Sequence, residues 1–62
     1  MRQVLTISEI MRILFETENT VVVNSIELTN KQALHFFNNF NNHDKQLKVI
    51  TDGTEMCIWL RD

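Results

Sequence analysis

Asp52-Gly53 constrains this chain more than any other pair of residues. It holds the only glycine in a sequence without proline, and it separates two strand-like runs, Leu47-Lys48-Val49-Ile50-Thr51 and Thr54-Glu55-Met56-Cys57-Ile58-Trp59-Leu60. An Asp-Gly loop of two residues suits the positive φ angles of a type I′ turn and so predicts a β-hairpin. That loop sets Thr51 opposite Thr54, Val49 opposite Met56 and Leu47 opposite Ile58, one apolar face that must turn to the core. The other face then carries Asp44 opposite Arg61, Gln46 opposite Trp59, Lys48 opposite Cys57 and Ile50 opposite Glu55. The single tryptophan thus lies among polar and charged residues, away from the core.

Sixty-two residues make one domain, residues 1–62, with a thin core. A chain this short buries only about 60% of the surface it exposes when unfolded, and its core supplies roughly 3–5 kcal/mol unless something staples it. Cys57 is the only cysteine, so no internal disulfide is available. Self-association or docking on a partner is the expected supplement.

Residues 2–5 can form a first strand or an extended arm. Thr6-Ile7-Ser8-Glu9 has the spacing of a capping box, and Ile7, Ile10, Met11 and Leu14 follow on one helical face. Ile13 and Phe15 widen that face beyond a single stripe, which suggests contact with two surfaces. Thr17-Glu18-Asn19-Thr20 reads as a turn, and Val21-Val22-Val23 as a strand within a sheet, with the pattern running on loosely through Asn24 to Leu28. Thr29-Asn30-Lys31-Gln32 is a second capping box. It opens a helix to about residue 42 with Ala33, Phe36, Phe37 and Phe40 on one stripe and an asparagine-rich end that should fray. The order is (β)-α-β-α-β-β: a small two-layer α+β domain with a mixed three- or four-stranded sheet and both helices on one face. Strand 21–23, the second helix and strand 47–51 would form a parallel crossover unit.

The formal charge of −2 is spread along the chain without a basic run of the kind that holds duplex nucleic acid. The N-terminal residues resemble neither a signal peptide nor a membrane span. With a lone thiol they suggest a cytoplasmic protein, and frequent asparagine without proline fits an AT-rich bacterial or phage genome. His35, His43 and Cys57 are too scattered for a zinc site, one glycine cannot build a phosphate loop, and no pair of carboxylates stands out. Cys57, between Met56 and Ile58, reads as a small hydrophobe, with Lys48 only a weak activator. No enzyme activity, cofactor, metal or small-molecule substrate is expected.

Trp59, Ile50, Cys57 and some of Val21–Val23, rimmed by Lys48, Glu55, Arg61 and Asp44, form the candidate contact surface. An apolar centre with a tryptophan inside a charged rim is the composition of a protein interface. A partner protein or a second copy of the chain, a homodimer, is the expected occupant, and the chain reads as a small regulator or inhibitor. The alternative is a single-stranded nucleic acid stacked on Trp59 and held by Lys48 and Arg61. One aromatic is few for such a platform, however, and Glu55 and Asp44 share the face. The element order resembles that of sulfur-carrier and Alba-like domains in topology alone. No cysteine-proline pair opens the first helix and no basic loop appears, so the order implies no function.

Overall fold

The computed structural model describes residues 2–60. Both helices start where the sequence places them. Thr6 caps α1 (Ile7–Glu16): its hydroxyl accepts from the Glu9 N–H at 3.1 Å and the Thr6 N–H donates to the Glu9 carboxylate at 2.9 Å. Two further N-terminal amides of α1 donate outward, Ile7 to the Lys45 carbonyl and Ser8 to that of His43, each at 3.0 Å. The helix is thereby tied to the loop before the final hairpin. Ile7, Ile10 and Leu14 are buried, as the stripe requires, and Met11 and Ile13 are half-buried beside them.

Thr29 caps α2 (Asn30–Asn38) in the same way, with Gln32 reaching back to its N–H. This helix ends at Asn38 rather than near residue 42. The poor helix propensity of the asparagine run leaves Phe37, fully buried, as the last strong anchor. The Asn39 N–H closes the end on the carbonyls of Phe36 and Phe37.

The α+β class with both helices on one face is observed, but the sheet has five strands, not three or four: β1 (Arg2–Thr6), β2 (Thr20–Val23), β3 (Ile26–Leu28), β4 (Gln46–Asp52) and β5 (Glu55–Trp59). β1 is a strand of the sheet, antiparallel to β4. The additional strand, β3, turns back on β2 through Asn24-Ser25, both at positive φ (47° and 73°), the pattern of a type I′ turn. Asn24 tolerates that region well.

The β4–β5 hairpin corrects the expected register by one residue on each strand. Asp52 pairs with Glu55, so the loop is Gly53-Thr54, not Asp52-Gly53. Gly53 has φ +63° while Thr54 stays out of the positive region. Glycine at the first central position alone is the requirement of a type II′ turn. Because side chains alternate with period two, this correction keeps each residue on its expected face and changes only its partner.

The strand order is β1-β4-β5-β2-β3. β2 runs parallel to β5 and therefore antiparallel to β4, not parallel to it as the crossover reading expected. The α1 connection passes over the two strands of the hairpin, and the α2 connection over β2 and β5. Val21, Val23, Leu47, Val49, Met56 and Ile58 face α1 and α2 and form with them one core.

Candidate functional site

The opposite face of the sheet has no helix over it among the described residues. Its central row, read across the strands, is Arg2, Ile50, Cys57, Val22 and Glu27. The neighbouring row holds Val4, Lys48 and Trp59. Val4 is 60% exposed and Trp59 40%, whereas Ile50, Cys57 and Val22 are half-buried by their neighbours. A depression of about 200 Å³ opens beside Trp59, lined by Val4, Gln46 and Lys48 among others. An apolar band therefore crosses four strands, with Lys48 and Arg2 on one side and Asp52, Glu55 and Glu27 on the other.

Four of the residues singled out from the sequence, Trp59, Ile50, Cys57 and Lys48, lie on this face together. Arg61 falls outside the described residues. Their pairings differ from expectation through the register correction: Lys48 stands across from Trp59, and Ile50 from Cys57. Lys48 is thus not the direct cross-strand neighbour of the thiol. Of residues 21–23, some of which were expected in the patch, Val22 is the one on this face, across from Cys57. Val4, Arg2 and Glu27 went unrecognised, because finding them required knowing which strands flank the hairpin.

Burial pushes the Cys57 thiol above its usual pKa, and the charge of Glu55, whose carboxylate accepts from the thiol at 3.7 Å, pushes it the same way. A thiol held protonated is a poor nucleophile. Among the described residues no three His, Cys, Asp or Glu side chains gather into a metal-holding group, and no helix is long and apolar enough to cross a membrane.

α1 lies in the other layer, so Ile13 and Phe15 do not cover Trp59. Phe15 is 82% exposed beside a shallow groove of about 360 Å³ that α1 and α2 form with Met11, Arg12 and Leu34. No known protein family, curated protein or solved structure matches this chain.

Proposed function

We propose that the domain works by protein–protein contact through the open sheet face, as a small cytoplasmic regulator or inhibitor type of module without enzyme activity. One observation supports this most directly: Val4, Ile50, Cys57, Val22 and Trp59 form an apolar band on a face that no helix among the described residues covers. Contiguous exposed apolar surface on a small domain marks a binding site. A tryptophan anchor within a charged rim is the composition that concentrates binding energy. The charge pattern favours a protein over a nucleic acid, because Asp52, Glu55 and Glu27 border the band and would repel phosphates.

Val22→Lys tests the reading. It plants a charge in the middle of the band while leaving the helix-facing core intact. Association with another protein, or with itself, should be lost while the circular dichroism spectrum is retained; unchanged association would refute the assignment. Titration of Trp59 fluorescence with a single-stranded oligonucleotide at low salt should give no quenching. Quenching that Lys48→Ala reduces would favour the nucleic-acid alternative.

A further inference from the structure

The central row of the open face is self-complementary. From β1 to β3 it reads cation, apolar, thiol, apolar, anion: Arg2, Ile50, Cys57, Val22, Glu27. Cys57 is the middle residue of β5, and β5 is the middle strand of five. Arg2 and Glu27 stand four strands apart, about 19 Å at the usual interstrand spacing, too far to neutralise each other within one chain.

We infer that the partner of this face is a second copy of the chain, packed sheet to sheet about a two-fold axis that runs along β5 past Cys57. The inference rests on the contact reading above and names its partner. Such an axis exchanges the two ends of the row. Arg2 meets Glu27 of the second copy and Glu27 meets the second copy's Arg2, while Ile50 covers Val22 and Cys57 and Trp59 lie against their own counterparts. An isologous interface requires this kind of self-complementarity, and face-to-face sheets at about 10 Å leave room for the interdigitated side chains. Glu55 meets its own counterpart, the one unfavourable pair, at the solvent-washed rim near the turn. The face measures about 19 Å by about 20 Å, roughly 400 Å² in projection. That is small beside the ~800 Å² per partner of a standard interface, so the dimer is weak, dissociates on dilution and depends on the charge match.

The experiment is sedimentation equilibrium of the wild type, Arg2→Glu, Glu27→Arg and an equimolar mixture of the two variants, with circular dichroism to confirm folding. The wild type should dimerise with concentration. Each variant replaces two attractions by two repulsions and should raise the dissociation constant about tenfold. The mixture should recover association, because each variant restores the opposite charge facing the other. Glu55→Gln should tighten the dimer. A short bismaleimide should join two copies through Cys57 in the wild type and far less in Val22→Lys. A wild type that remains monomeric at every concentration overturns the inference, as does a mixture no tighter than its components. Either result leaves the contact reading to its own test with a protein partner, where Val22→Lys decides it.

Discussion

The Asn30 side chain donates to the backbone carbonyls of Leu14 and Thr17, the latter at 2.8 Å, and its oxygen accepts from the Asn19 N–H at 2.7 Å. One residue at the start of α2 thus satisfies the open end of α1 and the turn that leads into β2. Carbonyls at a helix C-terminus lack partners of their own, and here a distant side chain supplies them. Asn30→Ala removes these bonds together and should cost about 2–3 kcal/mol, and Asn30→Asp, which sets a carboxylate oxygen against the same two carbonyl oxygens, should be no more stable than Asn30→Ala. Urea denaturation of the three proteins is the check.

Ser25 occupies the second central position of the β2–β3 turn at φ +73°, where a side chain is disfavoured. Ser25→Gly should stabilise the fold by about 1 kcal/mol, a rise of roughly 4–8 °C in the melting temperature of a domain of this size. Asn24 must be kept, because its side chain accepts from the Leu60 N–H at 3.0 Å.

Phe37 is fully buried and packs edge-on against Phe36, with ring centroids 5.1 Å apart. Phe37→Ala should cost about 3–5 kcal/mol, as much as a core this small supplies. Calorimetry should show no cooperative transition.

The hydrogen bonds from Thr6 hold the Glu9 carboxyl below its ordinary value of 4.5, with Arg12 assisting. A carboxyl whose pKa falls on folding stabilises the fold above its unfolded value, and that contribution fades as the pH drops from 4.5 towards the folded value. Thermal melts across this range should show a loss in the wild type that Glu9→Gln lacks.

Alkylation of Cys57 by iodoacetamide at neutral pH should be slower than that of an unfolded thiol. Glu55→Gln should accelerate it by removing the charge that opposes the thiolate, but not to the unfolded rate, because burial is the larger cause. Rates measured against pH in dilute protein provide the check.

The helix starts were legible because Thr6–Glu9 and Thr29–Gln32 are local signals that need no tertiary partner. The faces of the hairpin were legible for a different reason: an error of one residue on each strand preserves alternation, so Trp59 and Val49 kept their sides although their partners changed. Three features were not legible. The Asn24-Ser25 turn lacks the glycine that announces a type I′ loop, so the three residues of β3 read as a loose continuation of the 21–23 strand rather than as a strand turned back on it. The helix end at Asn38 depended on how much anchoring the buried Phe37 offers against a run of asparagines. Finally, β2 lies beside β5 rather than β4, a choice made by long-range packing between strands that are both apolar on the core side. The same missing adjacency concealed Arg2 and Glu27, so the composition of the open face was legible only in its hairpin half.

β5 is flanked by β4 on one side and β2 on the other. Among the described residues it is the strand that links the β1–β4 pair to the β2–β3 pair. The β4–β5 pairing is local, closed by the two-residue hairpin, but β5 with β2 and β4 with β1 are long-range pairings, which must bear their loop-closure entropy before contacts repay it. The two halves therefore have no intermediate in which the sheet is continuous but β5 is absent. Folding should be single-exponential and slow for a chain of this length, with the transition state reached only when the β4–β5 hairpin docks its 55–59 strand on β2. Its departure, under load or in denaturant, would release both halves in one step.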